Sequence, residues 1–455
     1  MTDHLAFKYP LYPTKEQASE LVCSIGAARW IWNYCVEVNQ NYYKSDKKFY
    51  WYDDLSAHLP LLKSYYDWLG EAPSNALQNK IKDYEKSLKK AIKDAKTTSK
   101  KKAGFPEFKS RSETNVGSIR IGLVVAKDKD TKKIINRNID FHRKYIKIPG
   151  IGWTRYERYR PMEGRLLNIT ISFENERWWV ICCCETTKDV MGQYIPTSVD
   201  ESEIVGIDLG LKTFAVLSDG EQIETPKFYR NKEARLKKLQ RELARKQRKF
   251  NEVTKRKENS KNRTKARKKL NNLHFKIVNQ RNGFHIEVAS SIAKNYKMIC
   301  IEDLNIAGMI KNHCLAKSIQ DQAWGAFINR LNYFSLKNGG ITIKIDRFAP
   351  STKACSVCHN VRPITLNERT YICSACGLEM DRDGNACINI KVWGKEKALE
   401  LGITITDRAG TSRISNSGNH NACNLAASNG ESTDTDSSYA DTAGISEALA
   451  RKPAV

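Results

Sequence analysis

Between Lys15 and Tyr43, apolar residues recur every three or four positions: Leu21, Ile25, Ala28, Ile31, Trp32 and Cys35. That spacing predicts a helix with one buried face. Thr14 and Gln17, just before it, have the spacing of a capping box. A second helical stretch, rich in lysine, is predicted from about Asn75 to Lys100. "GFPEFKSR", residues 104–111, reads as a turn, because Pro106 stops a helix and two phenylalanines anchor the loop. From about Ser118 to Thr187 the period falls to two, and "RLLNITISFENERWWVICCCE" predicts a hairpin turning at Glu174, Asn175 and Glu176. "EIVGIDLGLKTFAVLSDGEQIET", residues 203–225, predicts consecutive strands with turns at Gly210 and at Asp219-Gly220. Residues 227–281 predict two helices packed as a hairpin on a thin stripe of Leu236, Leu239 and Leu243. "YKMICIEDLNI" and "GGITIKIDRF" are strands of the buried type. Beyond about Thr404 the chain turns rich in Ser, Thr, Asn, Gly and Asp, and a disordered tail is expected. No internal repeat interrupts this order.

Composition narrows the partners. The 455 residues allow two to four domains. A formal net charge of +25 points to a polyanion, nucleic acid being the usual one. Much of the excess lies between Lys227 and Arg281, where the only acids are Glu233, Glu242, Glu252 and Glu258. Such a run repels itself unless something anionic lies against it. Around Tyr42, Tyr43, Lys44, Lys47, Lys48, Tyr50 and Trp51, basic residues interleave with aromatics. That mixture suits stacking on bases, and equally suits ordinary core aromatics beneath a solvated face. No run of about 18 uncharged apolar residues occurs, so no membrane span is expected. The N-terminus shows neither an apolar h-region nor a small-residue cleavage site, and a reducing, cytoplasmic and nucleoid-associated setting is expected. The 13 cysteines then make a poor disulfide framework. Cys182, Cys183 and Cys184 fall in a strand and read as small hydrophobes.

Four other cysteines are patterned. Cys355-x2-Cys358 followed by His359 has the spacing of a c-type haem attachment, but a second pair, Cys373 and Cys376, lies 14 residues on. Two such knuckles close a tetrahedron of thiolates, so a structural zinc ribbon is expected ahead of haem, a redox pair or an iron–sulfur cluster. His359 becomes a polar neighbour of the knuckle.

Three separated acids stand out against apolar surroundings. Asp208 sits inside "IVGIDLGL", Glu302-Asp303 closes "MICIEDL", and Asp383 lies in "DRDGNACINI" before a final helix. Singly, each reads as a cap or an ion-pair partner. Together, carboxylates set in apolar strands need a cation to offset their burial. Oxygen ligands suit Mg²⁺ or Mn²⁺, and two such ions about 4 Å apart promote in-line phosphodiester hydrolysis.

"GIDLGLKTFAVLSDG", "IEDLNIAGM", the paired CxxC motifs and "DRDGNACINI", in that order, resemble the RuvC-like core of TnpB proteins. These are RNA-guided nucleases of insertion sequences, related to compact type V CRISPR effectors. "YPLYPTKEQ", "FPEFKSR" and the basic hairpin are similar to that family too, so the resemblance spans about residues 6–400. It implies a multidomain chain of α/β and α+β classes: an RNase H-like (RuvC) mixed sheet over 196–350 and 379–403, carrying the inserted basic hairpin. A zinc ribbon would occupy 351–378, a β-barrel-like wedge domain 1–12 and 116–195, an inserted helical recognition domain 13–115, and the tail 404–455. The resemblance further implies that Asp208, Glu302 and Asp383, the last in preference to Asp381, hold two catalytic Mg²⁺ ions (or Mn²⁺). Cys355, Cys358, Cys373 and Cys376 would hold one Zn²⁺. Implied partners are a guide RNA and target DNA, double- and single-stranded, with no membrane. The expected activity is Mg²⁺-dependent DNA cleavage next to a short flanking motif. The alternatives are a non-cleaving zinc-ribbon regulator and a transposase that performs strand transfer. Sequence leaves the oligomeric state, the guide and the flanking motif open.

Overall fold

The computed structural model describes residues 3–97, 104–110, 115–127, 134–136, 138–186, 196–246, 249–251, 256–258, 260–365 and 368–407. Thr14 caps the first helix as its spacing predicts: its Oγ1 accepts from the Gln17 N–H at 3.3 Å, and Gln17 Oε1 accepts from the Thr14 N–H at 3.1 Å. Strand β1 (Asp3–Tyr12) leads into α1 (Lys15–Asp46), followed by α2 (Tyr52–Tyr65), α3 (Asp67–Glu71) and α4 (Ser74–Ala95). All six apolar positions read from the sequence of α1 are buried.

Nine strands complete this half or link it to the next: β2 (Asn115–Gly122), β3 (Val125–Lys127), β4 (Ile134–Asn136), β5 (Asp140–His142), β6 (Tyr145–Ile148), β7 (Gly152–Tyr156), β8 (Arg165–Glu174), β9 (Arg177–Thr186) and β10 (Ser198–Asp200). The β8–β9 hairpin turns where expected, with Asn175 and Glu176 both left-handed (φ 51° and 63°) and Glu174 opposite Arg177. Two left-handed residues give the primed turn whose twist matches the strands.

Seven strands pair in the order β2-β8-β9-β1-β7-β6-β5. Among the described residues no pairing joins β2 to β5, so the expected barrel is an open antiparallel sheet. Its inner face (Tyr9, Ile119, Ile171, Val180, Cys182) and the stripes of α1 and α4 (Ile25, Ile31, Leu77, Leu88) share one core. The wedge and helical parts therefore fold around a common interior, since neither face can bury itself alone.

The second half begins with β11 (Ile204–Leu209), β12 (Thr213–Leu217), β13 (Gln222–Glu224), α5 (Glu233–Arg245), β14 (Lys249–Asn251), β15 (Arg256–Glu258) and α6 (Lys261–Asn295). It continues with β16 (Met298–Ile301), α7 (Ile306–Met309), α8 (Ala316–Gln322), α9 (Trp324–Lys337), β17 (Ile341–Lys344), β18 (Thr370–Ile372), β19 (Glu379–Asp381), α10 (Arg382–Glu400) and β20 (Thr404–Thr406). A mixed sheet runs β13-β12-β11-β16-β17, with β11, β16 and β17 parallel and β12 and β13 antiparallel. Burial of all four residues of β16 reflects cover on both faces, α6 and α9 on one side and α10 on the other.

α10 lies unusually close to this sheet. A Cβ on Gly206 would meet the Cys387 carbonyl oxygen at 2.1 Å, and one on Gly394 would meet Cys300 Sγ at 2.2 Å. Each partner thus supplies a glycine where the other presses in. The basic helices are a hairpin on a small core of Leu236, Leu273 and Ile277, but α6 does not stop at Arg281: it runs on into the sheet's own core through Ala289, Ile292 and Ala293. The first residues assigned to the tail are ordered instead. β20 pairs in parallel with β10, Val199 opposite Ile405, because Ile403 and Ile405 bury against the sheet core. Residues 408–455 lie outside the described residues.

Gly206→Ala is expected to lower the melting temperature by several degrees, at a cost of about 3 kcal/mol for the overpacked contact. Gly283→Ala, on α6 with no atom within 4 Å of the new methyl, should leave stability unchanged or raise it by up to ~1 kcal/mol. Thermal melts of the two variants read both signs.

Candidate active site and metal centre

The three acids reach one place by strand register and a helix start. Ile207 pairs with Ile301, so Asp208 and Glu302 follow side by side at the ends of adjacent parallel strands, about 5 Å apart across the sheet. Asp383 opens α10, the helix pressed against β11. Burial pushes the Asp208 carboxyl up to about 7, with repulsion from Glu302 and then Asp383 adding to it and Arg382 opposing. The neighbours that the sequence left competing have other work. Asp381 is the N-cap of α10, accepting from the N–H groups of Asp383 and Gly384 at 3.0 Å each. Asp303 is bound by Arg347, and by Lys344 at 3.5 Å, which holds its carboxyl below the usual range.

The acids do not stand as a finished ion cage. Among the described residues, only the four ribbon thiols form a cluster tight enough, within 4.8 Å, to hold an ion as they are. Asp383 Oδ1 is taken by Arg382 Nε at 3.0 Å and Nη2 at 2.8 Å, and Arg369 Nη1 lies 3.7 Å from Oδ2. Glu302 Oε1 accepts the Ser351 hydroxyl.

In the ribbon, Cys355 and Cys376 sulfurs are 3.6 Å apart and those of Cys358 and Cys373 are 3.5 Å apart. The two knuckles match: the His359 N–H donates to Cys355 O at 3.0 Å and the Gly377 N–H to Cys373 O at 3.0 Å, both donors being left-handed. His359 thus occupies the place of a turn glycine and takes no part in the thiol cluster. Donation from the Cys376 backbone N–H holds the Cys373 thiol down to about 6, against the effect of burial. Buried Asn385 and Asn389 of α10 tie this unit to the acids. Asn385 Nδ2 donates to Ala354 O at 2.7 Å, its Oδ1 accepts from the Ser356 N–H at 2.9 Å, and Asn389 Nδ2 reaches the Ser351 and Ala354 carbonyls at 2.8 Å each. Ser351, Arg369, Arg382, Asn385 and Asn389 were not singled out from sequence. Two asparagines four apart on a helix face shared with buried Ala386 and Ile390 were the available signal.

Of the interleaved aromatics, Tyr42 stacks on Tyr50 at 4.1 Å and Tyr43 on Phe49 at 4.8 Å, so much of that cluster satisfies itself. Tyr43 and Trp51 remain exposed beneath Lys47 and Lys89. Cys182 and Cys184 are buried, and burial pushes the Cys182 thiol up to about 12, as a small hydrophobe requires. No helix among the described residues is long and apolar enough to cross a membrane.

The family model described as "Probable transposase" matches residues 181–313, that of a "Cas12f1-like, TNB domain" residues 324–390, and that of a "Helix-turn-helix domain" residues 1–48. The described part of the last stretch is one strand and one unbroken helix. A Streptomyces pristinaespiralis protein named "Putative RNA-guided DNA endonuclease" is 30% identical over 86% of this chain and 89% of its own length. The chain belongs to the TnpB family. The Escherichia coli K12 protein "Putative RNA-guided DNA endonuclease InsQ" is 28% identical over 86% of this TnpB-family chain and 92% of its own length. A solved structure of "the mini-RNA-guided endonuclease CRISPR-Cas_phi3" overlaps 86% of the chain and 92% of its own at 11% identity, with a TM-score of 0.41.

Asp208 gives a signed pH dependence. Its folded pKa of about 7 lies above the unfolded value of 3.8, so its contribution is whole below pH ~4 and is lost as pH climbs through 7. Asp208→Asn should therefore raise the melting temperature of metal-free protein at pH 8 by several degrees and change it little at pH 4. Melts at the two pH values check this.

Proposed function

We propose that this protein is an RNA-guided DNA endonuclease that hydrolyses phosphodiester bonds at Asp208, Glu302 and Asp383. One observation carries the reading: Asp208 and Glu302 at the ends of adjacent parallel strands and Asp383 at the start of α10 lie near enough that Glu302 and Asp383 add to the effect of burial in raising the Asp208 carboxyl. That surplus of negative charge is what a pair of divalent cations offsets, and oxygen donors without sulfur or nitrogen favour Mg²⁺ or Mn²⁺. The site fits such ions by its chemistry. Bound there, they supply Lewis acidity toward the attacking water and the leaving 3′ oxygen. The chain's own residues do the rest. Asp208, Glu302 and Asp383 would hold the ions, Ser351 orients Glu302, and Arg382 and Arg369, which hold Asp383, would also meet the phosphate backbone of the substrate. The relatives' names, matched along nearly their whole length, support the same activity.

The four thiolates suit zinc. Sulfur separations of 3.5 and 3.6 Å approach the ~3.8 Å edge of a tetrahedron with Zn–S bonds of about 2.3 Å. Zinc there would close a unit whose packed interior, among the described residues, is Cys355, Tyr371 and Cys373 with Ile364 and Leu378, too little to order it alone. Guide RNA is assigned to the basic hairpin, where Arg235, Lys237, Lys238, Arg241 and Arg245 of α5 and Lys261, Lys265, Lys268 and Lys269 of α6 face solvent. Target DNA is then chosen by base pairing with that RNA.

Protein purified with its RNA is expected to cut a matching plasmid only when Mg²⁺ or Mn²⁺ is present. Alanine at Asp208, Glu302 or Asp383 should lower the rate at least ~10³-fold with RNA affinity unchanged. Tight binding without cleavage under any divalent ion sinks the endonuclease reading, and joined products in a donor–recipient assay would replace it with strand transfer. Metal analysis should find one zinc per chain, absent from Cys355→Ser together with the ribbon's resistance to protease.

A further inference from the structure

Past the end of β17, the turn over residues 346–349 walls a groove of about 450 Å³ with Asp303, Lys344, Ile345, Asp346, Arg347, Phe348 and Lys397. Phe348 is 88% exposed, more than any other exposed large apolar residue in the described chain. Single exposed apolar side chains are common and need no explanation. This one is held in place. Its N–H donates to Asp346 Oδ1 at 2.8 Å, the Ala349 N–H donates to the Asp346 carbonyl at 3.2 Å, and the preceding Arg347 is bound to Asp303. Three residues further on, Ser351 contacts Glu302. A rigid turn that points a phenyl ring into water pays solvation for nothing in the fold.

Position says what the ring faces. Ile301 pairs with Lys344 at the last position of both strands, so the turn with Asp346 and Phe348 leaves the same carboxyl edge of the sheet as Asp208 and Glu302. Two strand spacings, roughly 10 Å, separate β17 from β11. Ligands of open parallel sheets sit at this carboxyl edge. Lys344, Arg347 and Lys397 line the groove with Asp303 and Asp346; Asp303 is shared by Arg347 and Lys344, Asp346 Oδ1 accepts the Phe348 N–H, and three cations against two acids leave the lining net positive. Lys397 comes from α10, its Nζ 2.8 Å from the Lys344 carbonyl, so the groove bridges the helix that carries Asp383 and the edge strand. A flat apolar face beside cations, open to solvent on one side, fits a nucleobase with its phosphates and no compact small molecule.

We propose that this groove is a single-stranded DNA subsite: a base stacks on Phe348, its phosphates lie along Lys344, Arg347 and Lys397, and the strand continues toward Asp208. Choosing DNA over RNA rests on the endonuclease reading. The stacking itself does not.

The test uses the full chain with its co-purified RNA and a single-stranded oligodeoxynucleotide carrying 5-iodouracil, irradiated and mapped by mass spectrometry. A crosslink to the peptide containing Phe348 is expected. Phe348→Ala should lose it and bind the oligomer at least ~5-fold more weakly with an unchanged melting temperature, and Phe348→Tyr should restore both. Crosslinks confined to other peptides, or equal affinity for wild type and Phe348→Ala, would overturn the proposal. A ribo-oligomer captured at higher yield would overturn the choice of DNA. Plasmid cleavage measured on the same preparations reports on the endonuclease reading alone, so an inert but crosslinking protein and a cutting protein without the crosslink are told apart.

Discussion

The contact on which the site depends is a helix lying almost against a sheet's backbone. Gly206 and Gly394 clear the space for α10 to rest on β11 and β16, and no side chain larger than hydrogen fits at either position. Removing that closeness would move Asp383 outward by the thickness of a methyl group or more. It would also carry away the ribbon, which α10 holds through Asn385 and Asn389. Packing and chemistry are therefore one constraint here. The apolar underside of α10 (Ala386, Ile390, Ala398) fixes its depth, and its polar start delivers a carboxylate at that depth.

Charge sets the second condition. Three acids gathered in a partly buried corner are costly, and the protein lowers that cost with Arg382, Arg369 and Ser351. Asp208 is raised first by burial and then by Glu302 and Asp383, with Arg382 opposing. The adjacent Asp303 behaves differently: two residues of the β17 edge neutralise it, and it turns to the surface groove instead.

Much of this was legible from the chain because it is local. The helical period of α1, the two-residue hairpin turn and the paired CxxC knuckles each depend on neighbours within a few residues. The three acids drew attention because ionisable residues inside apolar strands are rare enough to question. What escaped is long-range or self-cancelling. Helix α2 carries Pro60 in its interior and a weak apolar stripe, with only Leu55 and Leu59 buried, so its pattern was faint. Nothing in the local sequence of Ser351 or Arg369 says that they meet Glu302 and Asp383, 49 and 14 residues away. Burial of α1 and α4 against the seven-stranded sheet likewise turned two apparent modules into one, because periodicity tells which face is apolar and not what covers it.

Helix α6 has a mechanical consequence. Its first turns pack with α5 under the basic surface, its last turns are embedded beside β16, and the buried Arg281–Asp321 pair at 3.0 Å clamps it between. A continuous 35-residue rod of roughly 50 Å has no proline at which to bend. One rigid element thus joins the basic outer surface to the sheet core beside β16, so the two keep a fixed spacing.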